Sequence, residues 1–207
     1  MINTIGIIGA GTMGSGIAQV AALARFEVIL HDSSAEVMKG VTARIKSDLR
    51  RAMEKGRITS TEATEALSAI EVSKNLGVLA SADFIIETAY EDLSVKREIL
   101  RKLDAIVHPD VILATNTSSL SVTSMAAFTK TPESVVGMHF FNPPLLMQLV
   151  EIVRGTQTSN EAVKVATTIA LRMKKTPVVC RDTPGFIVNR VARPFYGEAL
   201  RILGEGI

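Results

Sequence analysis

A glycine-rich loop directly after the first apolar segment constrains the fold of this chain more than any other feature of its sequence. Residues 4–8 are mostly apolar and β-branched, and the loop Gly9-Ala10-Gly11-Thr12-Met13-Gly14 follows at once. Apolar residues then recur at helical spacing between residues 17 and 24. This order predicts a buried strand, a tight glycine turn and a helix.

The three glycines of this loop stand where a dinucleotide-binding turn requires them. Gly9 permits a tight turn, Gly11 lets a pyrophosphate approach the backbone, and Gly14 lets the helix pack closely on the strand. The free N–H groups at the helix start, around Thr12 and Met13, would face the pyrophosphate. Glycine-rich turns also occur for structural reasons alone, so the flanking strand and helix are needed to favour nucleotide binding.

Asp32 narrows the choice of cofactor. It closes the second predicted strand, roughly 20 residues beyond the last glycine, where a carboxylate can bind the hydroxyl groups of a ribose. A carboxylate there would repel a 2′-phosphate, and no arginine follows it closely, so we expect NAD rather than NADP. The alternative is that Asp32 and the two serines after it only begin the next helix.

Strands and helices alternate along most of the chain. Further strands are predicted at residues 26–30, 70–72, 84–86, 111–114, 135–138, 149–153 and 177–180, and further helices at 37–56, 60–69, 94–107 and 160–174. This alternation predicts an α/β fold of the Rossmann type, doubly wound, with a mostly parallel sheet. After Pro184-Gly185 one long apolar helix follows, at residues 186–203. We therefore expect an NAD-binding domain at residues 1–184 and, at 185–207, the first helix of a C-terminal all-helical domain.

Composition argues against several classes of function. The 207 residues are 47% hydrophobic, and the net charge of +2 does not favour nucleic-acid binding. No apolar run reaches the roughly 18 residues of a membrane span and no signal peptide is recognisable, so we expect a cytoplasmic protein that binds no membrane. The single cysteine, Cys180, lies in an apolar run and is interpreted as a buried structural thiol rather than a reactive one. The three histidines are far apart, so we expect no metal site.

Four segments together resemble one enzyme family. They are the loop region 7–14, Asn-Thr-Ser-Ser-Leu at 116–120, Gly-Met-His-Phe-Phe-Asn-Pro at 137–143, and Pro-Gly-Phe-Ile-Val-Asn-Arg at 184–190. In order and spacing they resemble the 3-hydroxyacyl-CoA dehydrogenases, and the similarity covers essentially the whole chain. The resemblance implies NAD-dependent oxidation of an L-3-hydroxyacyl-CoA to the 3-ketoacyl-CoA, or the reverse reduction, in fatty-acid β-oxidation or butanoate-type metabolism.

The resemblance also implies roles for residues near the reacting atoms. His139 matches the catalytic base of the family and Glu151 its carboxylate partner. Ser118 and Asn189 match residues that contact the substrate hydroxyl and the histidine region, and Asn142 is expected to contact substrate. The chemistry agrees, because hydride can leave carbon 3 only if a base with a pKa near working pH removes the hydroxyl proton. The imidazolium so formed needs a carboxylate to orient and stabilise it.

Other matched residues concern the cofactor and coenzyme A. The resemblance places Glu91 and Lys96 near the nicotinamide side of the NAD site, with Asn116 and Ser118 in the same neighbourhood. Lys55 matches a position near the phosphates of coenzyme A.

Each of these assignments has a structural alternative. His139 could be a hydrogen-bonded histidine at a strand end, Asn116 and Ser118 could be turn or capping residues, and Asn189 could be a solvated helix residue. For Glu151 the functional interpretation is favoured, because a carboxylate in an apolar strand is rarely buried without a partner. The basic residues of the second helix and the turn after it are interpreted mostly as a solvated face, with Lys55 and Arg57 as the candidates for coenzyme A.

The chain departs from the family pattern in two places, and the second departure leaves other functions open. Ala24-Arg25-Phe26 replaces a glycine turn that we expect in relatives, and this should alter only a helix end. Family members continue into a helical domain that closes the cleft and supplies most of a dimer interface, so we expect a homodimer when that domain is present. With only its first helix, the chain could be a module that binds NAD and acyl-CoA with little turnover. A dehydrogenase of free 3-hydroxy acids is a third possibility, although it would normally use a catalytic lysine.

Overall fold

The computed structural model describes residues 2–207, and one eight-stranded sheet lies at its centre. The strands are β1 (Thr4–Ile8), β2 (Glu27–His31), β3 (Ile70–Ser73), β4 (Phe84–Glu87), β5 (Ile112–Thr115), β6 (Val135–Phe140), β7 (Leu149–Arg154) and β8 (Thr176–Arg181). Their order is β3-β2-β1-β4-β5-β6-β7-β8, and neighbours are parallel except β6 and β7. The predicted Rossmann-type, mostly parallel α/β fold is therefore confirmed.

Helices connect most of these strands. They are α1 (Thr12–Leu23), α2 (Ala35–Glu54), α3 (Ser60–Ser68), α4 (Leu93–Asp104), α5 (Val122–Ala126), α6 (Asn160–Arg172) and α7 (Val188–Gly204). Polar side chains begin five of them by accepting a backbone N–H, namely Ser34, Thr59, Asp92, Ser121 and Ser159. The sequence did not predict α5, because five residues are too few to display helical periodicity. Helix α7 begins two residues later than predicted, since Gly185 and Phe186 form a turn with φ angles of 77° and 48°.

Apolar side chains of the sheet alternate between two layers. In β4, Phe84 and Ile86 pack in a cluster with residues of α1, α2 and α6, whereas Ile85 packs in a second cluster with residues of α4 and α5. Both faces of the sheet are thus covered, which explains why the inner strands are apolar runs rather than alternating patterns.

The glycine loop packs as its sequence predicts. A Cβ on Gly14 would lie 1.7 Å from the carbonyl oxygen of Gly9, so only glycine allows α1 to approach β1 this closely. Gly9 has a φ of 93°, which glycine adopts readily. At the other end of α1, Arg25 has a φ of 65°, and the departure from a glycine turn does fall at a helix end.

The sheet edge formed by β8 is more exposed than its apolar sequence suggests. Val179 is 50% exposed, and Cys180 is only half-buried. The prediction of a buried Cys180 is therefore wrong in degree, because β8 is the last strand of the sheet and has a neighbour on one side only. Burial nevertheless comes first among the causes that raise the pKa of the Cys180 thiol to about 11, so the thiol is poorly ionised at neutral pH.

Helix α7 extends away from the packed layers. None of its residues is buried, and Val191, Phe195 and Leu200 are 70%, 74% and 69% exposed. The division into domains at Pro184-Gly185 stays a prediction. Within residues 2–207, no helix combines the length and the apolar composition needed to cross a membrane.

Candidate active site

The carboxyl ends of the central strands meet at one cavity, as the fold class leads one to expect. Its volume is about 330 Å³. The lining residues come from the glycine loop and from the segments that follow β4, β5 and β6: Met13, Thr88, Ala89, Glu91, Asn116, Ser118, His139, Phe140, Phe141 and Asn142. Six predicted site residues from distant parts of the sequence therefore lie around one space, namely Met13, Glu91, Asn116, Ser118, His139 and Asn142.

His139 and Glu151 form a buried pair across the antiparallel strands β6 and β7. They stand directly opposite each other in the register, with Nδ1 of His139 2.7 Å from Oε2 of Glu151. The side chains are 8% and 1% exposed. Because Nδ1 is engaged by the carboxylate, Nε2 is the ring nitrogen left to act in the cavity that His139 lines.

The second oxygen of Glu151 is also satisfied. Oε1 accepts the backbone N–H groups of Ile187 and Val188, at 2.9 and 2.8 Å. One carboxylate therefore holds both the imidazole and the start of α7. Phe141 and Phe186 complete the surroundings of His139, with ring centroids 4.5 and 5.8 Å from the imidazole.

Asn116, Ser118 and Asn189 are joined to this region by hydrogen bonds. The side-chain N–H of Asn189 donates to the backbone oxygen of Ser118 at 3.1 Å, so these two predicted residues are brought together. The amide oxygen of Asn116 accepts the backbone N–H of Phe140 at 2.8 Å, which links the ends of β5 and β6. Both the Ser118 and the Asn116 side chains still line the cavity, so their structural roles do not exclude ligand contacts.

The dinucleotide site fits the cofactor that the sequence predicts. A Cβ on Gly11 would meet no heavy atom within 4 Å, although Gly11 directly precedes α1. The space that glycine leaves open thus lies at the helix N-terminus, where a pyrophosphate is stabilised by free N–H groups. The carboxylate of Asp32 accepts the N–H groups of Ala10 and Ser34, both at 2.8 Å. Asp32 therefore lies beside the loop, while Ser34 is the N-cap of α2.

Arg44 is a residue of this loop region that the sequence analysis missed. Its guanidinium group donates to the backbone oxygen of Ala10 and, at 3.2 Å, to the hydroxyl of Ser15. Arg44 is one of the basic residues of the second helix that were interpreted mostly as a solvated face, and that interpretation is wrong for this residue. Helical spacing within α2 gave no signal for this contact, which depends on how α2 lies against the loop.

Lys96 and Glu91 contact each other but occupy different environments. The ammonium of Lys96 is 2.8 and 2.9 Å from the two carboxylate oxygens of Glu87, and the Lys96 side chain is 1% exposed. Glu91 is 37% exposed, lines the cavity, and lies 3.3 Å from the same ammonium. Direct contact of Lys96 with a cofactor stays a prediction, and its burial favours action through Glu91.

Glu87 is the second residue that the sequence analysis missed. It closes the apolar strand Phe84-Ile85-Ile86-Glu87 and is completely buried. An acidic residue in an apolar strand is the same feature that favoured a functional role for Glu151, so the pattern was available in the sequence.

Lys55 lies beside a second cavity, of about 420 Å³, together with Arg51 and Arg57. Asn142 lines this cavity and also the first one. Lys55 is therefore not among the residues around His139, but the two cavities share Asn142 as a lining residue.

Comparisons with known proteins agree with the geometry. The family described as "3-hydroxyacyl-CoA dehydrogenase, NAD binding domain" matches residues 4–183. The 3-hydroxyadipyl-CoA dehydrogenase of Escherichia coli is 43% identical over 206 residues, which are 100% of this chain and 43% of that protein. The 3-hydroxybutyryl-CoA dehydrogenase of Bradyrhizobium diazoefficiens is 44% identical over 207 residues, 100% of this chain and 71% of the relative.

Solved structures give the same result. The crystal structure of 3-hydroxybutyryl-CoA dehydrogenase from E. coli has a TM-score of 0.96 at 43% identity, and covers 99% of this chain and 43% of its own. That of (S)-3-hydroxybutyryl-CoA dehydrogenase from Ralstonia eutropha has a TM-score of 0.96 at 40% identity, with coverage of 100% and 73%. The chain thus spans from less than half to about three quarters of these relatives. It belongs to the 3-hydroxyacyl-CoA dehydrogenase family, and residues 4–183 are that family's NAD-binding domain.

Proposed function

We propose that this protein takes part in NAD-dependent oxidation of an L-3-hydroxyacyl-CoA to the 3-ketoacyl-CoA, or in the reverse reduction. The observation that carries the proposal is the buried His139–Glu151 pair, which leaves one ring nitrogen for the cavity that the NAD-binding domain encloses. The relatives named for 3-hydroxybutyryl-CoA and 3-hydroxyadipyl-CoA support an acyl-CoA as the substrate class.

His139 acts in this proposal as the general base. Its Nε2 accepts the hydroxyl proton of the substrate in oxidation and returns it in reduction. The Glu151 side chain is 1% exposed, and its carboxylate makes three hydrogen bonds. It fixes the orientation of the His139 ring and stabilises the imidazolium that forms when the ring accepts the proton. Bound NAD supplies the hydride acceptor.

Ser118, Asn142 and Asn189 are proposed to position the substrate oxygen. Ser118 and Asn142 line the cavity beside His139, and Asn189 supports the backbone of Ser118. Positioning of this kind matters because holding the reacting atoms in line supplies a large part of catalysis. Asn116, Ser118, Glu91 and the loop residues Gly9 to Gly14 are proposed to contact the cofactor, with Asp32 on the ribose.

The second cavity suits the coenzyme A portion. Lys55, Arg51 and Arg57 place positive charge along it, and phosphate groups are bound by such side chains. Asn142 lines both this cavity and the one that contains His139, and we propose that an extended thioester occupies both. Homodimer formation, a cytoplasmic location and the helical domain from residue 185 onward stay predictions.

The test follows NADH oxidation by absorbance with acetoacetyl-CoA as substrate. We expect turnover by the wild type and a loss of about 10²- to 10⁴-fold in His139→Ala, because a positioned general base contributes that much. His108→Ala is the matched control, since His108 is an exposed histidine with 72% of its side chain accessible. The dissociation constant of NADH should be similar in all three proteins.

Three results would contradict the proposal. NADH binding without any oxidation of NADH would favour a binding module. Equal rates in His139→Ala and the wild type would exclude His139 as the base. Turnover of free acetoacetate as fast as of its thioester would favour a dehydrogenase of free acids.

A further inference from the structure

A network of charges lies behind the part of the cavity wall that Glu91 forms. Glu87 at the end of β4 accepts from the ammonium of Lys96, from the backbone N–H of Ala89 at 2.6 Å, and from the hydroxyl of Thr115 at 2.7 Å. Glu87 is 0% exposed and Lys96 is 1% exposed. The network is therefore shielded from solvent on the side of Glu87, where charges interact strongly.

The network reaches the cavity through Glu91. One oxygen of Glu91 is 3.3 Å from the Lys96 ammonium, and the other accepts the Thr117 hydroxyl at 2.5 Å and the Ser118 N–H at 2.9 Å. Burial opposes ionisation of Glu91, but these hydrogen bonds and Lys96 outweigh it and keep its pKa below the ordinary value. Glu91 thus faces the cavity as a fixed carboxylate.

The charges of these three side chains do not cancel. Two carboxylates share one ammonium, so the net charge is −1. Lys96 makes two short contacts with Glu87, at 2.8 and 2.9 Å, and one longer contact with Glu91. The positive charge of Lys96 therefore neutralises Glu87 more than Glu91. The uncompensated negative charge lies at Glu91, on the cavity side.

This charge distribution has a consequence for the cofactor. The nicotinamide ring carries a positive charge in NAD⁺ and none in NADH, and the ring must lie in the cavity of His139 for hydride transfer to occur there. A net negative wall favours the oxidised ring. We propose that Glu87 is a positioning residue that neutralises Lys96, leaves Glu91 anionic towards the cavity, and so favours NAD⁺ over NADH.

The inference rests on the cofactor site of the proposed function and not on the acyl-CoA reaction. Its test is therefore equilibrium binding, with NAD⁺ and NADH titrated separately and the two dissociation constants compared. In Glu87→Gln, Lys96 is left to neutralise Glu91, and we expect the ratio of Kd for NAD⁺ to Kd for NADH to rise about three- to tenfold. A tenfold rise corresponds to about 30 mV in the two-electron potential of the bound couple.

A double variant separates charge from structure. Glu87→Gln with Lys96→Met restores the net charge of −1 without the ion pair, so the ratio should return to within about twofold of the wild type. The matched control is Glu98→Gln, whose exposed carboxylate pairs with Lys102 on the same helix. The control should leave the ratio unchanged.

The proposal fails if Glu87→Gln weakens both forms of the cofactor by the same factor, since that describes a structural role alone. It also fails if the double variant keeps the altered ratio of the single variant. Should Glu87→Gln not fold, Glu87→Asp retains the charge but withdraws it from Lys96, and the expected rise is about two- to threefold. An unchanged ratio in Glu87→Asp would then overturn the proposal. If both forms bind as proposed but acetoacetyl-CoA is not reduced, only the acyl-CoA function fails.

Discussion

Two buried pairs of a basic side chain and a carboxylate flank the same cavity, and their basic side chains are placed very differently. In the His139–Glu151 pair, one ring nitrogen is held by the carboxylate and the other is available to the cavity. In the Lys96–Glu87 pair, the ammonium contacts two carboxylates and the backbone oxygen of Ala89, and its side chain is 1% exposed. The imidazole of His139 keeps one ring nitrogen available to a ligand, whereas the ammonium of Lys96 has its hydrogen-bond donors engaged by protein groups.

This difference indicates that burial alone does not determine whether such a pair transfers a proton or only sets the local charge. An imidazole changes its charge near neutral pH and can exchange a proton with a substrate. An ammonium enclosed by carboxylates keeps its proton and acts only through its field. We therefore assign proton transfer to the first pair and control of the local charge to the second, and each assignment can be broken by a substitution.

The largest expected effect is on turnover, in Glu151→Gln. The amide keeps the size of the side chain but no longer stabilises an imidazolium, so we expect the rate of NADH oxidation with acetoacetyl-CoA to fall by about 10²- to 10⁴-fold. Single-turnover measurements of NADH absorbance would quantify the loss. Glu161→Gln, an exposed carboxylate in the first turn of α6, is the control. A Glu151→Gln protein with normal turnover would show that His139 works without its partner.

The next effect is on stability, in Lys96→Met. Removing one partner of a buried pair leaves an uncompensated charge on Glu87, and such a change costs about 3–5 kcal/mol in the free energy of unfolding. Lys102→Met on the same helix removes an exposed pair with Glu98, for which about 0–1 kcal/mol is expected.

Urea unfolding of the two variants measures this contrast directly. Equal losses in Lys96→Met and Lys102→Met would mean that the buried pair is no more important for folding than an exposed one. The double change Glu87→Gln with Lys96→Met should recover most of the stability, because position 87 then carries no charge and the carboxylate that loses its cation, Glu91, is 37% exposed.

Much of the fold and one of the two pairs could be predicted from the sequence. Short apolar runs predicted β1 and the later strands, and helical spacing predicted α1 and the later helices, since both layers of the core depend on them. His139 and Glu151 were named by the resemblance, and the position of a carboxylate inside an apolar strand supported the assignment of Glu151. Glu87 carries the same signal at the end of β4, but the resemblance that named Lys96 did not name its partner.

The remaining features depend on tertiary contacts. Arg44 stands among basic residues at helical spacing, and nothing in that spacing reveals that its guanidinium reaches the carbonyl of Ala10. Cys180 lies in the apolar run that forms β8. The burial of this run depends on whether β8 has a neighbouring strand on both sides, and the order of strands places β8 at an edge of the sheet. Local sequence patterns predict helices and strands well, whereas the contacts between side chains of different helices and strands become visible only in the assembled structure.

The smallest expected effect uses Cys180 as a reporter of the charge on Glu151. Burial is the largest cause of the raised pKa of Cys180, about 11, and the charges of Glu151 and Asp182 add to it. Because the folded pKa lies above that of an unfolded cysteine, the thiol stays protonated as pH rises past 9, and alkylation should increase up to about pH 11. At pH 8, iodoacetamide should react about tenfold more slowly than with the denatured chain, since the lower thiolate fraction outweighs the higher nucleophilicity.

Glu151→Gln should then raise this alkylation rate, because one of the two carboxylates no longer disfavours the thiolate. The remaining causes, burial and Asp182, are unchanged, so the expected increase is only about two- to threefold. Cys180 is the single cysteine of the chain, so every labelled molecule reports this site. Glu161→Gln should leave the rate unaltered. An unaltered rate in Glu151→Gln as well would indicate that Glu151 carries no charge beside His139, and the contrast between a proton-transferring pair and a fixed-charge pair would lose its first member.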